Sequence, residues 1–234
     1  MSAKRYRKAI WNHFGYLANW LPTTPLQAGD IGVWSAEGFA RVGDLRGKGM
    51  SFGTRTVEHP LDFTHREVKS AEVVGRGQGV VEGQRLGVKL QFASEGEFAF
   101  QAGGCRSTVI DGCEGILQRM KGLFRDGLWD DNYVVISEVM TAARATILLS
   151  QSSTASLELE GPKSLDDLLA VDLKVVGQQG TLTQIVAQAG LVPLFKALKV
   201  EKGWFGRVRS RTVHYGTDDE RPVIVPVTPE DWEA

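Results

Sequence analysis

The sequence predicts an α+β fold: a twisted, mostly antiparallel central sheet with long hairpins and several peripheral helices. Three observations predict it. Within Asn132 to Glu160 (NYVVISEVMTAARATILLSQSSTASLELE), Tyr133 to Leu149 reads as one strand of about 55 Å, roughly three times the usual length. Leu86 to Gln101 alternates apolar and polar residues almost without a break. Two other stretches, Tyr6 to Leu17 and Ile110 to Phe124, repeat apolar residues every three or four positions, the helical period.

Composition bounds what such a chain can be. Its 234 residues, 42% hydrophobic and 24% charged, suffice for one large domain or two small ones. Two Cys and eight Pro exclude a disulfide scaffold and a proline-rich linker protein. Cys105 and Cys113 have no companion His cluster and match no zinc spacing, so both are expected as reduced thiols. No run of about 18 apolar residues offers a spanning helix. The start MSAKRYRKAIWNHFGYLANWLP is basic, but Trp, Asn, His and Gly interrupt the apolar core of a signal peptide, so no secretion is expected.

The net charge of -1 conceals an asymmetry. Residues 216 to 234 hold six acids and one Arg; of the chain's 27 cations and 28 acids, 26 and 22 therefore fall in residues 1 to 215. No acid precedes Asp30, while Lys4, Arg5, Arg7 and Lys8 crowd the first turns.

Taken in order, Tyr6, Ile10, Phe14 and Leu17 form the apolar stripe of a first helix, ended by Pro22. Its basic face is either simply solvated or a surface for phosphates. Ile31 to Val33 and Phe39 to Val42 read as short strands joined by Ser35 to Gly38. Gly49 to Gly53 matches G-x-S-x-G, but a nucleophile elbow needs a strand before it and a helix after it, and Thr54 to Pro60 has no helical period. Leu61 to Val74 reads as a strand polar on both faces, and the glycines from Gly75 to Gly83 as a hairpin loop. In the return strand Leu86, Val88, Leu90 and Phe92 share a face with Phe98 and Phe100; Ser94 to Gly96 either interrupts that lane or turns the chain.

A helix is expected between Ser107 and Arg125, weakened by Gly112, Gly115 and Gly122. For Ser137 to Leu149 helix competes with strand, and Tyr133 to Ile136 with Thr146 and Ile147 favour strand. Ser164 and Asp167 make a capping box for a helix Leu165 to Ala170. Asp172 to Val176 and Thr181 to Ala187 are expected to pair with each other around Gly177 to Gly180, and Pro193 to open a short helix through Leu198. Trp204 to His214 places Arg207, Arg209 and Arg211 at period two, a ladder suited to phosphate oxygens or a charged guard on a solvated edge. His13, His59, His65 and His214 are scattered, and no metalloprotease, Walker or Rossmann motif occurs, so no enzymatic activity and no cofactor or metal are expected. Nor does any nucleic-acid-binding motif occur, and no nucleic acid is expected as partner.

The order of these segments, a basic first helix, PLQAGDIGVW, the LDFTHREVKS to LGVKLQF hairpin, a helix, then DNYVVISEVMTAARATILL, resembles the gasdermin family, in particular its pore-forming amino-terminal domain and compact bacterial members. The resemblance covers residues 1 to 215. It implies a protein held inactive in the cytoplasm, released by a protease, that binds acidic membrane lipids, oligomerises from a monomer and refolds two hairpins into a membrane β-barrel, with roles in cell death and antiphage defence. It casts Lys4, Arg5, Arg7, Lys8, Arg207, Arg209 and Arg211 as lipid contacts. The first hairpin would span Leu61 to Gln101; the second would pair Tyr133 to Leu149 with Ser156 to Glu160 or Val171 to Ala187. Leu86, Val88, Leu90, Phe92, Val135, Val139, Ile147 and Leu149 would be their apolar residues. Residues 216 to 234 would be an inhibitory segment anchored by Val223, Ile224, Val225, Val227 and Trp232, cut in the acidic linker at Gly216, Asp218, Asp219 and Glu220. The first Cys is Cys105, so the amino-terminal lipidation of some bacterial relatives has no counterpart residue here. The alternative is a non-enzymatic oligomeric module that binds an anionic ligand, nucleic acid or protein.

Overall fold

Helix α1 (Ser2–Phe14) forms on the apolar stripe seen in the sequence: Tyr6 and Ile10 are fully buried and Phe14 partly so. It ends earlier than Pro22 suggests, because Gly15 N–H closes the last turn on the Trp11 carbonyl. Leu17 is freed to enter strand β1 (Leu17–Ala18). The computed structural model describes residues 2–20, 22, 24–35, 38–76, 85–160, 174–187, 191–202 and 222–232. Within them the protein is α+β, with mostly antiparallel sheets and two α-helices.

The remaining elements follow in chain order: β2 (Asp30–Ser35), β3 (Gly38–Asp44), β4 (Gly53–Glu58), β5 (Phe63–Glu67), β6 (Ser70–Arg76), β7 (Arg85–Phe92), β8 (Phe98–Gly103), β9 (Arg106–Asp111), α2 (Cys113–Arg125), β10 (Tyr133–Ala142), β11 (Arg144–Ser150), β12 (Ala155–Glu160), β13 (Lys174–Gln179), β14 (Leu182–Ala187), β15 (Leu191–Lys202) and β16 (Pro222–Pro226), then a 3-10 turn, Pro229–Trp232. The chain divides into two compact units, residues 1–25, 56–107 and 140–195, and residues 26–55, 108–139 and 196–234.

In the second unit β2 and β3 form the expected hairpin, with Ile31 at a register shift. Tyr133 to Val135 of β10 pairs with β2, and Leu198 to Lys202 of β15 pairs with β16. Ile31, Val135 and Val200 of this sheet bury α2 through Ile116 and Met120. The helix is shorter than its apolar period suggests. Arg106–Asp111 is strand β9, paired with β4, and Gly112 at the helix N-cap (φ 65°) separates the two.

The first unit holds two four-stranded sheets, β14-β11-β8-β5 and β13-β12-β7-β6. Here three expectations change. Pro193 opens no helix but lies in β15, where its carbonyl accepts from Asn19 N–H and an extended backbone suits its fixed φ. β13 and β14 do not pair with each other; β13 pairs with β12 and β14 with β11. Tyr133 to Leu149 is strand, as expected, with an interruption at Ala143. Leu61 to Val74 and Leu86 to Gln101 are each two strands, the second divided at the Ser94 to Gly96 turn. The expected helix Leu165 to Ala170 lies outside the described residues.

Candidate functional site

The two sheets of the first unit are one set of four long strands, each bent once. β5 continues into β6, β7 into β8, β11 into β12 and β13 into β14, and neighbours on one side of the bend are neighbours on the other. The central pair keeps one register throughout: Phe92 pairs with Ala155 and Phe98 with Leu149, six residues along each strand. The outer strands are shorter at the bend. Glu67 pairs with Phe98 and Ser70 with Gln91, so three residues of the first strand match seven of the second.

The bend folds the apolar lanes onto different partners. Phe98, Phe100 and Ala102, with Ala145, Ile147 and Leu149, pack against α1 through Tyr6 and Ile10. Val88, Leu90 and Phe92, with Ala155, Leu157 and Leu159, pack against Ala99 and Leu148 on the back of the first sheet. Yet alternate residues of an extended strand share a face, and Val88 to Phe92 and Phe98 to Ala102 are all even-numbered, as Ala145 to Leu149 and Ala155 to Leu159 are all odd. Straightened, the two central strands would present one apolar lane, broken only by Ser94 and Gly96 and by Gln151 and Ser153. The opposite lane is largely polar: Lys89, Gln91, Gln101, Arg144, Thr146, Ser150, Ser156 and Glu158, with Ala93, Ala99 and Leu148 as apolar members.

The polar lane carries buried polar groups. Gln101, Thr146 and Ser150 are all buried, Gln101 and Thr146 are paired neighbours, and Ser150 Oγ–H donates to the Ser152 carbonyl. Buried polar groups need such partners in place of water.

Backbone and side chains together hold the bend: Gly96 N–H donates to the Ser150 carbonyl, Ser150 N–H to the Glu97 carbonyl and Gln151 N–H to the Thr181 carbonyl. Ala93 N–H and Ser94 Oγ–H donate to Glu97, Ser152 Oγ–H donates to the Thr154 carbonyl, and Thr181 N–H donates to Ser152 Oγ. Gly96 and Gly180 adopt φ of 85° and 74° there. A Cβ at Gly180 would lie 2.5 Å from the Thr154 carbonyl oxygen, so this crossing requires glycine.

Helix α1 is attached to the same bend. Arg5 donates from Nε to Glu67 Oε2 at 3.0 Å and from Nη1 to Ser94 Oγ at 2.8 Å, bridging the first and second long strands. His13 stacks on His65 of β5 with ring centres 4.4 Å apart. On the α1 side β5 thus presents Phe63 to Phe14, and then the polar His65 and Glu67. Of the four basic residues at the amino terminus, Lys4, Arg5 and Lys8 are exposed, whereas Arg7 is buried and its pKa lowered by desolvation. Tyr6 is fully buried with no hydrogen-bond partner for its hydroxyl, and burial raises its pKa. An unsatisfied buried hydroxyl costs about 1–3 kcal/mol. Tyr6→Phe is accordingly expected to stabilise the chain by about 1 kcal/mol in urea unfolding.

The remaining site residues fall elsewhere. Val135 and Val139 are buried on β10, outside the four bent strands, because β10 pairs with β2 rather than continuing the hairpin. Val223, Ile224 and Val225 lie on β16 and Val227 follows it, 1% exposed, with its N–H on the Ala197 carbonyl. Lys199 pairs with Asp231 at 2.5 Å and with Glu201. Burial alone would lower the Lys199 pKa, but the hydrogen bonds and charges of Asp231 and Glu201 raise it. The tail is therefore built into the second unit's sheet as a strand. Trp232 ends the 3-10 turn. Leu86 lies on β7. Arg207, Arg209, Arg211, Gly216, Asp218, Asp219 and Glu220 lie outside the described residues.

A base and hydroxyl do meet. His59 Nε2 is 2.8 Å from Ser107 Oγ, beside a cavity of about 500 Å³ lined by Cys105. Ser107 is 0% exposed, which denies its hydroxyl a substrate, and burial with the nearby Asp62 charge pushes the Cys105 thiol up to about 11, so it stays protonated. Among the described residues no cluster of His, Cys, Asp or Glu is arranged to hold a metal, and no helix is long and apolar enough to cross a membrane.

Among solved structures, the chain is similar to the gasdermin A3 membrane pore determined by cryo-EM, over 91% of this chain and 97% of that one, at 9% identity and a TM-score of 0.35. No family model and no curated protein matches.

Proposed function

We propose that the protein is an autoinhibited pore former that binds acidic membranes through α1, oligomerises and straightens its bent strands into a membrane β-barrel. The observation that carries this reading is the shared parity and register of β7-β8 and β11-β12 across the bend. A barrel strand needs about 9 to 11 residues with apolar and polar faces alternating, and a closed barrel leaves no backbone group unpaired in lipid. Residues 85–103 and 144–160 exceed that length. Straightening would keep the central ladder and bring buried Gln101 and Thr146 to a wet lumen.

In this reading α1 is the cover that keeps Phe98, Phe100, Ile147 and Leu149 from lipid, and β16 with the following turn is the inhibitory segment. A protease acting at residues 216–220 would sever the segment, which must still leave β15. Lys4, Arg5 and Lys8 would meet the headgroups, with Arg207, Arg209 and Arg211 as further candidates.

The test is dye leakage from liposomes containing acidic lipid, using the full chain and a form truncated before Asp218. Leakage is expected from the truncated form alone and only with acidic lipid. No leakage from any tail-truncated form would sink the proposal, and a fixed oligomer indifferent to lipid would favour the binding module. At about 1 kcal/mol per basic residue near an anionic surface, reversing Lys4, Arg5 and Lys8 to Glu is expected to lower membrane binding by about a hundredfold or more, read by vesicle co-sedimentation.

A further inference from the structure

We infer that the stacked pair His13 and His65 is an acid-sensitive latch that releases α1 from the bent sheet when both imidazoles are protonated. The rings are 4.4 Å apart, one on the helix and one on β5, so two charges there would repel across the α1 contact. Among the described residues, β5 presents Glu67, whose Oε1 is 3.7 Å from His65 Nε2 and whose Oε2 accepts from Arg5 of α1, while β8 presents Phe98 at 5.4 Å from His65.

One carboxylate therefore faces two potential cations, Arg5 through Oε2 and His65 through Oε1, with His13 as a third group beside His65. At neutral pH Glu67 accepts from Arg5 and ties the helix to the sheet. Glu67 holds Arg5 through Oε2 and faces His65 through Oε1, so it can neutralise one imidazolium while keeping Arg5; the second imidazolium, His13, then stands unneutralised with its ring centre 4.4 Å from that of His65 and pushes α1 from the sheet. The direction agrees with the environment of His65, whose pKa is lowered by burial first and by His13 second, partly offset by Glu67. A lowered histidine pKa means the undocked state binds protons more readily, so the contact is fully present above about pH 6.5 and is lost as pH falls below it.

The latch needs no membrane, and its test uses the full chain in buffer, apart from any leakage assay. Amide exchange of residues 4–14, corrected for intrinsic rates, is compared at about pH 7.5 and about pH 5. Protection is expected to fall about tenfold or more on acidification in the native chain, and by less than about threefold in His13→Gln, whose side chain is exposed and whose folding is not at risk. His65→Gln is the second variant and is expected to behave likewise. Unchanged protection at the lower pH would overturn the inference, as would a loss that survives in both variants.

Discussion

Adding one residue to the Ser94 to Gly96 turn and one to the Gln151 to Thr154 turn is expected to abolish leakage while leaving the fold in place. Each insertion lengthens a surface turn, for which the entropic cost stays below about 0.6 kcal/mol. The paired insertions preserve the central register, because both strands lengthen equally between Phe92 with Ala155 and Phe98 with Leu149. They reverse parity, so in a straight strand Val88, Leu90 and Phe92 would face opposite to Phe98 and Phe100. Inserting two residues in each turn restores parity and register together and is expected to restore leakage. Equal leakage from the one-residue and two-residue proteins would show that the strands do not straighten across the bend. Thermal melting of each protein, within a few degrees of the native one, guards against simple unfolding.

Phe100→Ala is expected to destabilise the chain by about 3–5 kcal/mol. Phe100 is fully buried between α1 and β11, 5.9 Å from Phe14 and 6.3 Å from Tyr6 by ring centres, so its removal empties the seat of the helix. The surrounding β8 and β11 backbones are laddered on both sides and collapse little into the space. A urea midpoint unchanged from the native chain would place the helix elsewhere. Because the same cavity loosens α1, the variant is also expected to lose amide protection in residues 4–14 before the rest of the first unit.

Local patterns carried much of this. The period of Tyr6, Ile10 and Phe14 places α1 and its buried face, since a helix stripe is written in consecutive residues. The alternation of Val88, Leu90, Phe92, Phe98 and Phe100 likewise marks a one-sided strand. What the alternation omits is whether Ser94 to Gly96 is a defect in one straight strand or a turn, because small polar residues suit both. Val135 and Val139 lie on β10, which is buried on both faces, and a pattern of that kind does not distinguish a buried central strand from a membrane one. The tail was legible as apolar, while its place beside Leu198 to Lys202 was not.

By itself the sequence determined the elements whose signal is a period: a basic amphipathic helix, long alternating strands and the strand character of Tyr133 to Leu149. Only the tertiary structure decided that β13 joins β12 and β14 joins β11, that Pro193 is extended, and that Arg5 and His13 reach Glu67 and His65. Those outcomes depend on hydrogen bonds and contacts between residues far apart in the chain. Pairing energy of that kind is gained only after the chain has folded, so it overrides the weak local preference of a residue such as Pro193 without leaving a trace in its neighbours.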